Sequence, residues 1–268
     1  MSELHPWPYL LLLAGSAAAC HDDTTCDERR LFGRPNDKTG LSAALCEPRC
    51  ACSATPFAAP AYGSADVERA LAWTLLDPPA PLTADPYAAP APAEVGPDVV
   101  CGVLPDPPGS RTYRLVTYDD ERAARAAGAF PSHFGACGLC SPLVDLAVYM
   151  GVGDLTQPVR QCGLDWVAGP PASHIQCLQD LGFDYACAQI WYYNTLHTRE
   201  ACLEPCMNNF NTPYNLADGS LNDCLACDER ESGPVFKAVA GRTRRNTGIA
   251  NAICRPCSEV QPLVHDYL

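Results

Sequence analysis

Near residue 130 the hydrophobic pattern changes character. Before it, short apolar runs are broken by turn formers; after it, stretches of helical spacing dominate. In the first half, residues 65–76 (A-D-V-E-R-A-L-A-W-T-L-L) predict a short helix with Ser64 as N-cap and Val67, Leu71 and Leu75 on one face. Residues 101–104 and 112–118 alternate as strands do, split by a turn at Pro107-Pro108-Gly109. Residues 119–127 then read as an Asp-capped, alanine-rich helix. Ser141-Pro142 predicts a helix over 142–150 whose only charge, Asp145, implies burial on most sides. Further along, Ser173 caps 174–181, Asp184 opens a longer helix from 185 to about 203, and Ser220 opens 221–229. Pro234 starts a last helix to about 246, stopped by Gly248. The expected fold is mainly α and disulfide-rich, with few short strands and an irregular N-terminal part.

Composition adds the compartment. The 268 residues include 17 cysteines and 26 prolines, and so many cysteines belong to export rather than to a reducing cytosol. Residues 9–19 form an apolar run ending in small residues, as in a signal peptide, although the preceding residues carry Glu3 and no Lys or Arg. That run is too short to span a membrane, and no second long one follows. Ala17-Ala18-Ala19-Cys20 resembles the lipobox of bacterial lipoproteins, with Ala17 where leucine is usual. The resemblance implies that Cys20 is lipidated and tethers the chain to a bacterial membrane. Removing Cys20 leaves an even 16 cysteines to pair, whereas simple cleavage after Ala19 leaves one odd thiol.

The expected organisation is a signal peptide over 1–19, a cysteine-containing loop-rich segment over 20–76, a Pro/Ala-rich spacer over 77–100, and a disulfide-stabilised, mainly helical domain over 101–268. The proline-rich stretch is either an extended spacer or an arm held against the surface. A net charge of −13 argues against nucleic acid or anionic lipid as the partner of the whole surface.

Candidate chemistry centres on residues 131–150, which place His133, Cys137-Gly138-Leu139-Cys140 and a helix start together. A thiol just before a helix N-terminus has a lowered pKa, which makes Cys137 or Cys140 a candidate nucleophile with His133 as base. The same residues, as H-x-x-x-C-x-x-C, have transition-metal ligand types. Cys224-x-x-Cys227 with Cys254-x-x-Cys257 is a second four-cysteine set, its spacer longer than zinc sites use. No cofactor is implied, and disulfides are the alternative for every pair. In the helix opened by Asp184, Asn194 and His197 share the apolar stripe and Trp191 stands beside them, so this face either satisfies its polar groups internally or lines a pocket. His197 is the second catalytic candidate. Finally, residues 232–258 carry Lys237, Arg242, Arg244, Arg245 and Arg255 without one acidic residue. Arg242, Arg244 and Arg245 are candidates for binding a carboxylate, sulfate or phosphate; the alternative is pairing with acidic residues such as those at 228–231.

Two local patterns resemble known enzymes. The C-G-L-C text resembles the C-G-x-C of thioredoxin-like oxidoreductases, which implies attack by Cys137 and resolution by Cys140. Read as G-x-C-G-x-C it is similar to papain-like proteases, which implies Cys140 as nucleophile and Cys137 as a disulfide partner. Phe134 stands where the latter family has glutamine, Ser141 where it has an aromatic, and His265 is too near the end for a later orienting asparagine. From H-F-G-A-C-G-L-C-S to R-P-C-S-E-V the chain also resembles an uncharacterised family of exported cysteine-rich proteins from algae, oomycetes and some bacteria, which implies no activity. The leading expectation is an exported, disulfide-stabilised lipoprotein that binds or scaffolds an unknown ligand or protein. The alternatives are a thiol-dependent enzyme and a Cys/His metal-binding protein.

Overall fold

The computed structural model describes residues 30–51, 56–165 and 169–268. The expectations for residues 1–19 and for Cys20, Cys26 and Cys52 lie outside them. The N-terminal part, poor in large apolar groups, forms only two-residue strands: β1 (Leu31–Phe32), β2 (Cys46–Glu47), β3 (Arg49–Cys50) and β4 (Phe57–Ala58). Helix α1 (Ser64–Leu71) stops early because the end of its apolar run, β5 (Thr74–Leu75), joins a sheet. Gly63 rather than Ser64 is its N-cap, and Leu71 is exposed while Ala70 is the buried residue. The two expected strands, β6 (Val100–Pro105) and β7 (Thr112–Tyr118), pair antiparallel, with Val103 opposite Leu115. The Asp120 carboxylate accepts the Ala123 N–H and opens α2 (Glu121–Ala126). β8 (Phe130–Phe134) then completes a sheet of order β5-β7-β6-β8 and sets His133 opposite Cys101.

The second half is helical. α3 (Leu143–Gly151) begins at Pro142 as N-cap, where the Tyr113 hydroxyl accepts the Leu143 N–H at 2.8 Å; Ser141 turns instead toward His133. α4 (Thr156–Asp165) has no counterpart in the expected elements. α5 (Pro171–Asp180) starts at Pro170 rather than Ser173. α6 (Tyr185–Ala201) is opened as expected by Asp184, whose carboxylate accepts the Cys187 N–H. After α7 (Leu203–Asn208), Asn222 rather than Ser220 caps α8 (Asp223–Glu231). α9 (Gly233–Ala240) ends at Gly241, well before Gly248. β9 (Arg255–Pro256) returns to pair with β1, whose other edge carries β2. The fold is mainly α, with few short strands and an irregular N-terminal part.

α3 occupies the centre. Its Leu143, Leu146 and Tyr149 belong to one buried cluster with Leu178 of α5, Ile190 of α6 and Phe236 of α9. The proline-rich stretch lies along the surface as an arm: the Leu82 N–H donates to Gln189 Oε1 and the Tyr87 hydroxyl to Asn194 Oδ1, both at 2.8 Å. Among the described residues seven disulfides lock this arrangement. Cys46–Cys254 and Cys50–Cys257 tie the first strands to the C-terminal region across 208 and 207 residues of sequence. Cys162–Cys177 joins α4 to α5, and Cys202–Cys227 with Cys206–Cys224 joins the α7 segment to α8. Among the described residues no helix is long and apolar enough to cross a membrane.

Candidate functional site

The C-G-L-C stretch is built for crossing, not for thiol chemistry. Its backbone runs against the end of α9, where the Leu139 and Cys140 N–H groups donate to the carbonyls of Val239 and Ala240 at 2.9 and 2.8 Å. Gly138 and Gly241 face one another there. A Cβ on Gly138 would stand 2.5 Å from the Val239 oxygen, and one on Gly241, at φ +74°, would stand 2.6 Å from the Gly138 nitrogen. This explains the glycine that suggested a redox motif.

The sulfurs go elsewhere. Cys137 is bonded to Cys101 of β6 and Cys140 to Cys187 of α6. The expectation of a nucleophilic or metal-binding thiol at Cys137 or Cys140 is therefore corrected: neither carries a thiolate, and they are not bonded to each other. The second four-cysteine set dissolves likewise, since Cys224, Cys227, Cys254 and Cys257 enter four different disulfides. His133 is fully buried: its Nδ1 bonds the Phe134 carbonyl at 2.9 Å, and its Nε2 accepts from the Ser141 hydroxyl at 2.7 Å. Burial and the Arg242 charge hold it well below the usual imidazole range, so it is a neutral structural residue rather than a base beside a thiol.

The arginines are also largely spent. Arg242 is fully buried and donates to the carbonyls of Ser132, Cys140 and Ser141 and to Ser132 Oγ, at 2.7 to 3.0 Å. An anion site at Arg242 is thus corrected to a backbone clamp joining β8 to the start of α3. Arg245 pairs with Glu229 and Glu259, and Arg255 with Glu229, so pairing with the acidic segment describes these two. Arg244 differs. It is buried, donates to the Tyr149 and Val152 carbonyls at the end of α3, and lies 5.5 Å from the Tyr149 ring centroid.

Of the α6 candidates, Asn194 and His197 both meet Tyr87 of the arm, but only Asn194 and Trp191 reach a cavity. His197 is stacked on Tyr87 of the arm, 4.4 Å between centroids, and bonds Ser232 Oγ at 3.0 Å. It does not approach Cys137 or Cys140 through any contact of the described residues. Asn194 and Trp191 instead line a cavity of about 480 Å³, together with Arg244 and Arg245. Its walls come from α4, α6, the α7 segment, α8, Phe236 of α9 and the chain after Arg244. Leu164, Leu203, Met207 and Phe210 belong to the lining yet are 45 to 66 % exposed, which places apolar side chains at its mouth. A space of this size lined mainly by apolar groups is the form small-molecule sites take.

The polar atoms of the lining sort clearly. Asp228 accepts from Thr198 and Asn194, Glu229 from two arginines, and Asp154 from Tyr214. The Tyr149 hydroxyl and the Trp191 indole N–H are buried and have no hydrogen-bond partner among the described residues. Sequence reasoning missed Tyr149. The available signal was a lone hydroxyl in a helix whose one other polar side chain is Asp145.

A family model described as "Family of unknown function (DUF8771)" matches residues 172–263, from α5 through β9, and so includes much of the cavity wall. This similarity fits the resemblance to an uncharacterised family. No curated protein and no solved structure matches the chain.

Proposed function

We propose that this chain is an exported binding module that takes a small apolar molecule into the cavity bounded by α4, α6, α7 and α8. The observation that carries the reading is the cavity of about 480 Å³ with exposed apolar side chains at its mouth. The seven disulfides among the described residues support an extracellular setting. The lipobox-like Ala17-Ala18-Ala19-Cys20 supports attachment to a bacterial cell-envelope membrane through Cys20. Cys137 and Cys140 offer no nucleophile, which favours binding over thiol catalysis.

Titration with the apolar fluorophore N-phenyl-1-naphthylamine tests the reading. The wild-type protein is expected to enhance its emission saturably. Replacing exposed Met207 and Phe210 by Asp weakens the response about tenfold, the loss of roughly one buried apolar side chain, with an unchanged melting temperature. No saturable signal from the folded, oxidised protein defeats the proposal. For the anchor, Cys20→Ser is expected to move the protein from the membrane fraction to the soluble one.

A further inference from the structure

We infer that the ligand of this cavity is an apolar carboxylic acid, its carboxylate held by the Tyr149 hydroxyl, the Trp191 indole N–H and the Arg244 guanidinium, with its chain running toward Met207 and Phe210. The inference deepens the binding-module reading and rests on it. The carboxylates of the lining have donors already, so the polar capacity left unspent is donor capacity. A buried hydroxyl without a partner costs about 1–3 kcal/mol, and an indole N–H is a donor only. Tyr149 is 2 % exposed; Phe183 and the Arg244 guanidinium flank its ring, Phe183 and Phe236 flank the indole, and the indole N–H faces the phenol oxygen closely enough to lower its pKa without making a hydrogen bond, which leaves the phenol hydrogen without an acceptor.

Charge points the same way. Arg244 is buried against the phenol ring, its two terminal nitrogens donate to carbonyls, and no carboxylate of the described residues lies within ion-pair distance. Burial pushes its pKa down to about 10, which leaves it a cation at neutral pH. Burial likewise raises the Tyr149 pKa, so the phenol stays a proton donor. A monoanion entering the cavity gains hydrogen bonds from two lone donors and offsets one buried positive charge. A carboxylate has the lone pairs for this, and the apolar mouth takes the rest of the molecule.

The test is calorimetric titration of solvent-extracted, oxidised protein with dodecanoate and, separately, 1-dodecanol, which share a chain and differ in the head. Dodecanoate is expected to bind about tenfold or more tightly than 1-dodecanol, the worth of charge-assisted hydrogen bonds. Tyr149→Phe should weaken dodecanoate about tenfold and leave 1-dodecanol unchanged, while the melting temperature of the empty protein holds or rises because an unpartnered hydroxyl is gone. Trp191→Phe, which keeps the ring contact and removes the N–H, should act in the same direction. Equal binding of the two amphiphiles, indifferent to Tyr149→Phe, overturns the carboxylate assignment and leaves the cavity reading standing. Binding of neither, with no response from the naphthylamine probe, overturns both.

Discussion

Replacing His265 by Gln should make the protein's stability less sensitive to acid, by an amount the structure sets. His265 is 4 % exposed, with Nε2 3.1 Å from the Thr247 carbonyl and Nδ1 3.2 Å from the Tyr267 hydroxyl. Burial first, and the Arg242 charge second, push its pKa down to about 3. An unfolded histidine titrates near 6.5. The folded pKa is therefore the depressed one: the contribution is intact above about pH 6.5 and is lost as pH falls toward 3, because the unfolded chain takes up a proton that the folded chain refuses. The slope is about 1.4 kcal/mol per pH unit. Between pH 7.5 and 4.5 the loss attributable to this ring is roughly 3 kcal/mol, since about two units of that interval lie below the unfolded pKa. His133, also buried and held neutral, adds a loss of the same sign. Asp145 opposes it, because burial and Asp184 raise its pKa and its contribution is lost as pH rises. The wild-type slope alone is a sum, so the informative quantity is the difference between wild type and His265→Gln in urea unfolding without reductant. That difference should shift by roughly 3 kcal/mol across the interval in favour of the variant at low pH. Parallel stability curves for the two proteins would refute the reasoning, showing that His265 protonates as readily folded as unfolded.

Two further predictions concern the same centre. Arg242→Met removes the donor shared by Ser132, Cys140 and Ser141 and should lower unfolding free energy by about 3–5 kcal/mol, with Arg242→Lys recovering only part, as one ammonium cannot copy the guanidinium fork. Peptide mapping of unreduced, alkylated protein should recover Cys101 linked to Cys137 and Cys140 linked to Cys187; a free thiol at either, or a bond between Cys137 and Cys140, would revive the thiol-enzyme alternative.

What was legible in the sequence follows the range of the forces involved. Asp184, and an aspartate at the start of residues 119–127, were readable as helix starts because a carboxylate capping the third following N–H is a local event; the cap of the latter helix is Asp120. Ser141, Ser173 and Ser220 were equally good caps on paper and cap none of the helices expected of them, since a hydroxyl takes whichever partner the tertiary fold offers; Ser141 takes His133 and Gly138. α4 escaped notice because T-Q-P-V-R-Q-C-G-L-D buries only Val159 and Cys162, too few for a stripe. β8 escaped because Pro131 sits inside it; the strand exists through pairing with β6, a contact thirty residues back that no window contains. Among site residues, Asn194, Trp191, Arg244 and Arg245 were singled out and do line one cavity, while Cys137 and Cys140, singled out for reactivity, and Arg242, singled out for anion binding, serve as ties. Residue type told which side chains were costly to bury. It did not tell which partner would meet the cost.

The disulfides keep the cavity open. An apolar space with two unpartnered donors favours collapse, because moving its walls inward recovers dispersion contacts and the donors' hydrogen bonds. Helices of its wall are fixed in position by covalent ties: α4 to the neighbouring α5 through Cys162–Cys177, and the α7 segment to α8 through two bridges, of which Cys206 and Cys224 themselves line the cavity. α7 is only six residues long and buries no side chain, so packing alone gives it little reason to stay in place. Cross-links worth about 2–4 kcal/mol each by restricting the unfolded chain supply that reason without filling the space. An exported protein can therefore keep an open apolar site beside a short, weakly packed helix.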